Sequence, residues 1–125
     1  MDATPVLKTY FMLMVADMGR ALSFYTDAFS VSVLFSSPSW SEFEVAGATV
    51  ALHPGGGAGD RETGLGLEVA DLGAALDRAV SVGGRVTRAP QRRSGEGIHL
   101  AQLADTEGNL ITVAQASGGP SDGGA

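Results

Sequence analysis

The chain offers few residues that could do chemistry, and its two histidines are the first to consider. His53 ends an apolar, strand-like run, and His99 lies near the start of another. A neutral imidazole is a good metal ligand and can act as an acid or base near neutral pH. No second imidazole or carboxylate stands at a useful spacing from either, so a polar wall or surface position is favoured over a displaced metal site. The chain has no cysteine, which excludes thiol catalysis, thiolate metal sites and disulfides.

Three glutamates carry the other possible chemistry. Glu42 and Glu44 alternate with other residues along one strand-like run, and Glu68 ends a run in the second half of the chain, so all three are expected on the same, inward side of their strands. A solvated strand face is the alternative interpretation. On a binding surface they would favour a cationic or hydrogen-bond-donating ligand. Spacing alone places no pair of titratable groups to cooperate in acid–base catalysis.

An internal duplication positions these residues. The octapeptide 15–22, Val-Ala-Asp-Met-Gly-Arg-Ala-Leu, returns 54 residues later as 69–76, with six of its eight positions identical. The spacing makes each copy of the octapeptide part of a repeated unit of about 54 residues. Such a unit is too small to be stable alone, so the two units must share a core. In both copies apolar alternation precedes the octapeptide and helical spacing follows it. Asp17 and Asp71 stand at these junctions and are predicted to be helix N-caps, not catalysts.

Three short strand-like runs, separated by turn residues, follow each predicted helix. The predicted order is therefore strand, helix and three strands, twice over, and the fold class is α+β. One domain is expected over residues 1–115, with modules at about 7–53 and 64–115. The Gly-rich stretch 54–63 is predicted to connect them, and 116–125 to be a disordered tail.

Composition narrows the possible partners. The formal net charge is −6, which argues against a nucleic-acid partner. Four arginines that follow the second predicted helix are interpreted as a solvated strand edge: Arg85, Arg88, Arg92 and Arg93. Residues 55–59 are Gly-rich but do not have dinucleotide-motif spacing, so they are assigned to the connector. No stretch resembles a membrane span or signal peptide, which predicts a cytoplasmic protein without a membrane partner.

Several short motifs carry a resemblance to a known superfamily. They are the two Val-Ala-Asp turns, Ser23-Phe24-Tyr25, Leu52-His53-Pro54, and Asp105-Thr106-Glu107-Gly108-Asn109. Over about residues 7–115 the chain resembles the vicinal oxygen chelate superfamily, whose usual last motif is Asp-Pro-Asp-Gly-Asn. That superfamily contains glyoxalase I, extradiol dioxygenases, fosfomycin-resistance enzymes and bleomycin-resistance-type binding proteins. The resemblance implies two βαβββ modules whose sheets curl into an open cup.

The resemblance also implies where a metal would bind. The enzymes of the superfamily hold a divalent ion in the cup with inward His, Gln or Glu side chains from four strands. The corresponding positions here are Tyr10, Ala51, Gly64 and Thr112. Alanine and glycine have no side-chain donor, and two hydroxyl groups bind a divalent ion poorly at neutral pH. The expectation is therefore a protein without metal or other cofactor.

Strand alternation predicts what lines the cup instead. The predicted ligand-binding residues, all placed on the inward side of their strands, are Tyr10, Met12, Met14, Trp40, Glu42, Thr49, Ala51, His53, Gly64, Leu110 and Thr112. Aromatic and methionine side chains around small residues suit a bulky, flat, partly apolar ligand. The alternative is that the methionines and Trp40 only fill a core. This alternative is disfavoured because the helices do not cover the inward face of the sheet.

Three functional hypotheses follow. The first is a metal-free, non-catalytic protein that sequesters a bulky, partly aromatic natural product, as in the bleomycin-resistance branch, and so confers antibiotic self-resistance by stoichiometric capture. The second is a metal-independent isomerase or cyclase with Tyr10, His53 or a cup glutamate as acid or base. The third is a sensory or interaction domain with a vestigial cup. A homodimer is expected, because a short chain with open apolar sheets gains from a two-fold partner.

Overall fold

The computed structural model describes residues 2–93 and 98–116. In that part of the chain the elements are, in order, β1 (Phe11–Val15), α1 (Met18–Ala28), β2 (Ser32–Ser37), β3 (Trp40–Val45), β4 (Ala48–Pro54), β5 (Arg61–Glu68), α2 (Leu72–Ser81), β6 (Arg85–Arg93), β7 (Ile98–Ala104) and β8 (Asn109–Ala116). This confirms the predicted order of strand, helix and three strands, twice over. β5 begins inside the stretch predicted as the connector. The predicted tail starts at the last residue of β8, and its remainder lies outside the described residues.

Each module forms its own four-stranded sheet. The strand orders are β1-β4-β3-β2 and β5-β8-β7-β6. In both sheets the first and last strands of the module pair in parallel, and the other pairs are antiparallel. The two sheets are open and curved, as the fold class predicted.

Both helices begin at the repeated aspartates. The Asp17 carboxylate accepts a hydrogen bond from the backbone amide of Arg20 at 3.0 Å, and Asp71 accepts one from Ala74 at 3.0 Å. Each therefore satisfies an amide that the first helical turn leaves free, and the N-cap predictions are confirmed. The helices have 11 and 10 residues. In the described ranges no helix is long and apolar enough to cross a membrane.

The core lies between the helices and one face of each sheet. On β1, Leu13 and Val15 are buried in the same cluster as Phe24 and Tyr25 of α1, while Met12 and Met14 alternate with them and point to the opposite face. The same alternation buries the second sheet: Leu103, Ile111 and Val113 join the helix residues Leu72 and Leu76. Because the helices cover one face of each sheet, the other, concave face is left uncovered and accessible to a ligand.

The turn between β7 and β8 joins the two modules. The Glu107 side chain has no exposed surface, and one carboxylate oxygen accepts from the backbone amides of Ala16 and Asp17 at 2.9 and 2.8 Å. The Arg20 guanidinium donates to both carboxylate oxygens. Burial alone would raise the pKa of Glu107, but these hydrogen bonds and one from Thr106 lower it to about 2. An ionised carboxylate of the second module thus stabilises the first turn of α1.

A second buried contact crosses the same junction. The Tyr25 hydroxyl of α1 donates to Asp105 at 2.5 Å, and burial followed by the nearby Asp105 charge raises the Tyr25 pKa well above its usual value. Asn109 donates to the carbonyl oxygen of Met14 at 2.8 Å, and Arg61 donates to the same oxygen at 3.3 Å. These bonds hold the outer edge of β1 against β5 and β8. The two concave faces are therefore fixed next to each other.

Candidate functional site

Most of the predicted site residues lie on the concave face of the first sheet. Along the sheet, Met12 and Glu42 flank Ala51 in register, Met14 lies beside His53, and Glu44 lies beside Thr49. The residues between them in sequence are the buried ones that face α1. The structure brings together on this face the predicted residues Tyr10, Met12, Met14, Trp40, Glu42, Thr49, Ala51 and His53.

Three rings form a corner of this face, here called the aromatic corner: Tyr10, Trp40 and His53. The Trp40 ring lies 5.6 Å from Tyr10 and 5.9 Å from His53 between centroids, with interplanar angles of 87° and 79°. Such edge-to-face pairs are favourable because the positive edge of one ring meets the negative face of another. His53 Nδ1 lies 2.6 Å from the carbonyl oxygen of Pro54, which can only accept, so Nδ1 donates to it.

Glu42 is the charged group of the corner. One carboxylate oxygen accepts from Trp40 Nε1 at 2.8 Å, and the other accepts from Lys8 Nζ at 2.6 Å. The hydrogen bonds from Lys8 and from Trp40 lower the pKa of Glu42, so the group is ionised at neutral pH. The Lys8 ammonium also lies 5.9 Å from the centroid of the Tyr10 ring. Sequence reasoning missed Lys8, because it precedes β1 in a stretch without periodicity that would assign its side chain to a face.

The methionines form the wall beside the corner. Met12 is half-exposed, whereas Ala51 between Met12 and Glu42 has no exposed surface. A Cβ atom built on Gly55 would lie 3.1 Å from the Met14 Cε, so the end of β4 leaves room for this side chain. Direct contact between a ligand and Ala51 stays a prediction that requires a flanking side chain to move. Methionine side chains can make such movements at low cost because they are unbranched.

The predicted residues of the second sheet are more scattered. Thr112 is exposed and lies in register with Gly66, and Leu110 is partly exposed. Gly64 lies in a bulge, where its φ is +81° and the pairing of β5 with β8 loses register. A Cβ built there would lie 3.9 Å from Phe11 Cζ, on the helix side of β1. The bulge breaks the alternation along β5, so an inward direction at Gly64 cannot be derived from the sequence period.

The second sheet carries a polar surface around the predicted residue Thr112. A cavity of about 170 Å³ on it is lined by Arg88, Ala89, Gln91, Leu100, Ala101, Gln102 and Thr112. Gln102 accepts from the Thr87 hydroxyl at 2.8 Å and lies in register with Thr112. Alternation along β7 could have identified Gln102. β6 changes register on both sides of Arg88, so the alternation of side chains along the strand does not predict which face Arg88 lies on. From the sequence, Arg88 is interpreted as part of a solvated strand edge.

The residues at the metal positions of the superfamily do not fit a divalent ion. Tyr10 and Thr112 supply neutral hydroxyl groups, Ala51 and Gly64 supply no donor, and the Cβ direction at Gly64 leads away from the cup. Within residues 2–93 and 98–116, no three His, Asp or Glu side chains converge where they could hold an ion. Divalent metals in proteins need several imidazole or carboxylate donors that converge. The face is lined by rings, thioethers and the carboxyl groups of Glu42 and Glu44.

The fold and cup agree with the comparisons to known proteins. The sequence model of the Glyoxalase/Bleomycin resistance protein/Dioxygenase superfamily matches residues 9–113. The chain belongs to this superfamily, which confirms the predicted resemblance. A relative in Vibrio cholerae, named probable lactoylglutathione lyase, is 29% identical over 120 residues that cover 83% of this chain and 86% of the relative.

Two solved structures illustrate the likeness of fold. The fosfomycin resistance protein FosX from Listeria monocytogenes aligns with a TM-score of 0.74 at 14% identity and covers 91% of this chain and 96% of its own. The bleomycin-binding protein of Streptomyces verticillus, solved with copper(II)-bleomycin, aligns with a TM-score of 0.64 at 14% identity and covers 89% and 97%. At these identities the likeness concerns the fold alone.

Proposed function

We propose that this protein binds a bulky, partly aromatic small molecule in its cup without metal, and protects a cell by stoichiometric capture of an antibiotic-like natural product. The observation that carries the proposal is the replacement of the superfamily's metal donors by a surface of rings and methionines. Flat rings stack on such surfaces, and thioethers adapt to an irregular outline. The bleomycin-binding protein among the structural relatives supports this role by analogy.

Apolar burial alone gives a capture protein useful affinity. Burying about 300 Å² of ligand surface at about 25 cal/mol per Å² contributes about 7 kcal/mol before the costs of association are subtracted. Ring contacts with Trp40 add about 1 kcal/mol each. No proton transfer is needed for this function, so it is compatible with a Glu42 carboxylate that is engaged by hydrogen bonds from Lys8 and Trp40.

A metal-independent enzyme is the second candidate, because the structure brings together groups that the sequence kept apart. Trp40 contacts three of these groups: its ring packs on Tyr10 and His53, and its Nε1 donates a hydrogen bond to Glu42. The relative named as a lactoylglutathione lyase also favours an enzyme. Glu42 is nevertheless a poor general base, because its hydrogen bonds from Lys8 and Trp40 lower its pKa further. We therefore rank binding above turnover.

A capture experiment separates the two candidates. The protein is titrated by calorimetry with a mitomycin-type quinone and with a bleomycin-type glycopeptide. It is then denatured, and the mass of the extracted compound is measured by mass spectrometry. Binding at one compound per cup with an unchanged mass supports capture. A new mass supports the enzyme. Lactoylglutathione lyase activity is assayed in parallel with added nickel or zinc, and the expected result is none.

Trp40 tests whether the aromatic corner is the binding surface. Trp40→Ala should weaken binding of a captured aromatic compound by about ten-fold or more, through lost stacking and lost area. Val80→Ala is the matched control, since Val80 is a half-exposed residue on α2, away from the cup. The fluorescence of Trp40, the only tryptophan, should change on titration and saturate at one ligand per cup. Equal binding by both variants with unchanged fluorescence would refute this placement.

We also propose that the protein is a cytoplasmic homodimer of single-domain chains. β2 is an edge strand on which Val33, Leu34 and Phe35 follow one another, and each is about half exposed. Consecutive apolar residues on both faces of an edge strand are typical of a surface that another chain covers. The chain has no cysteine, so its fold does not depend on the disulfides that an oxidising compartment would allow. Light scattering at micromolar concentration should give twice the chain mass, and Phe35→Glu should halve it; a wild-type monomer that still binds ligand would contradict the dimer.

A further inference from the structure

The carboxylate of Glu42 and the ring of Tyr10 already hold a cation. Lys8 Nζ lies 2.6 Å from a carboxylate oxygen of Glu42 and 5.9 Å from the centroid of the Tyr10 ring. Both distances are those of favourable contacts, the first a charge-assisted hydrogen bond and the second a cation–π interaction. An ammonium group is therefore stabilised at the edge of the aromatic corner.

The two partners of this ion pair differ in how firmly they are held. Glu42 lies within β3, its side chain is 15% exposed, and Trp40 fixes its second oxygen through a hydrogen bond of 2.8 Å. Lys8 lies in residues 2–10, which form neither helix nor strand, and its side chain is 53% exposed. Its neighbour Leu7 is almost fully exposed, so this segment packs weakly on the sheet. The Glu42 carboxylate is therefore part of the rigid sheet, whereas the Lys8 ammonium group belongs to a weakly packed segment that can move away.

We propose that the aromatic corner binds a positively charged amine or ammonium group attached to a flat aromatic ring system, and that this group displaces Lys8 from Glu42. Lys8 then acts as an internal competitor that occupies the cation position until the ligand replaces it. The proposal rests on the proposed function of capture in the cup and narrows its ligand to cationic aromatic compounds. Trp40 would contact the ring system while it keeps Glu42 in place.

The surrounding charge favours the exchange. Glu44 lies two residues further along the same face, is partly exposed, and accepts only the backbone amide of Gly47 among its described contacts. The whole chain has a formal net charge of −6, so an approaching cation is attracted. An ion pair with one exposed partner contributes little to stability, which means that loss of the Lys8 contact costs the protein little.

A matched pair of probes tests the proposal. 1-Naphthylmethylammonium and 1-naphthalenemethanol have the same ring system, and only the first is charged at pH 7. Calorimetry measures the affinity of each, and the single tryptophan gives one indole N–H signal in nitrogen–proton NMR spectra that reports on the Trp40 hydrogen bond to Glu42. The variants are Lys8→Met, which keeps most of the length of the side chain, Glu42→Gln, and Trp40→Ala. Arg92→Gln is the control, because it removes one positive charge from an exposed position on β6.

The proposal expects a specific pattern of affinities. Lys8→Met should bind the ammonium probe about five-fold more tightly and the alcohol within about two-fold of wild type, whereas Arg92→Gln should change neither by more than about two-fold. Glu42→Gln should weaken only the ammonium probe, by about ten-fold, since charge-assisted hydrogen bonds are about twice as strong as neutral ones. The indole signal of the wild-type protein should shift with the ammonium probe.

The failures of the two proposals differ. If Trp40→Ala weakens both probes but the ammonium group gives no advantage, or Lys8→Met and Arg92→Gln strengthen its binding equally, the cation site is wrong and capture in the cup stands. If neither probe binds and the indole signal does not move, the cup is not a site for flat aromatic compounds and both proposals fail.

Discussion

Replacement of Glu107 by glutamine should destabilise the protein in a pH-dependent manner, because this buried carboxylate joins the second module to the start of α1. The folded protein lowers the Glu107 pKa from 4.5 to about 2. At 1.36 kcal/mol for each factor of ten, the ionised group contributes about 3 kcal/mol at neutral pH. A glutamine can keep both backbone hydrogen bonds through its carbonyl oxygen but loses those that Arg20 Nε and Thr106 donate to the other oxygen, so about 2 kcal/mol of the free energy of unfolding should be lost at pH 7.

The sign of the pH dependence follows from the lowered pKa. A carboxylate whose pKa is lower in the folded state stabilises the fold above the unfolded pKa and loses that contribution as pH falls to the folded pKa. For Glu107 the window runs from about 4.5 down to about 2. The difference between the wild-type protein and Glu107→Gln should therefore be full at pH 7 and less than half as large at pH 3.

Urea denaturation at pH 7, 5 and 3 measures this difference. With a slope of about 1.5 kcal/mol per M, a loss of about 2 kcal/mol lowers the midpoint by about 1.3 M. Glu68→Gln is the matched control, since it removes the same charge from an exposed position on β5. A difference that is the same at pH 7 and pH 3, or a Glu68→Gln variant that behaves like Glu107→Gln, would refute the reasoning.

Three further outcomes are expected. Tyr25→Phe removes the buried hydroxyl that donates to Asp105 and should cost about 1–3 kcal/mol in urea denaturation, whereas the exposed Tyr10→Phe should cost almost nothing; equal effects would contradict the assignment. Gly108→Ala should cost about 2–4 kcal/mol, because φ is +86° and the new Cβ would lie 2.5 Å from a backbone oxygen, while Gly57→Ala, with open space, should be neutral. A chelator should leave the melting temperature unchanged, and elemental analysis that finds about one transition metal per chain would overturn the metal-free proposal.

Local sequence patterns determined the order of elements and the buried faces. The repeated octapeptide placed Asp17 and Asp71 at helix starts because a cap depends only on the residue and the turn that follows it. Strand alternation likewise put Leu13 and Val15 in the core and the methionines on the other face. These features depend on contacts within a few residues, and the sequence carries that information directly.

Tertiary structure decided which groups meet. Lys8 and Glu42 are 34 residues apart, and Arg20 and Glu107 are 87 apart, so no local period relates them. The bulge at Gly64 and the register changes around Arg88 also break the period of two on which counting relies. The first pair forms only when the segment before β1 folds across the first sheet, and the second forms only when the two modules close on each other. The sequence alone therefore predicted the face of the cup and the glutamates on it, and only the folded chain showed which groups those charges contact.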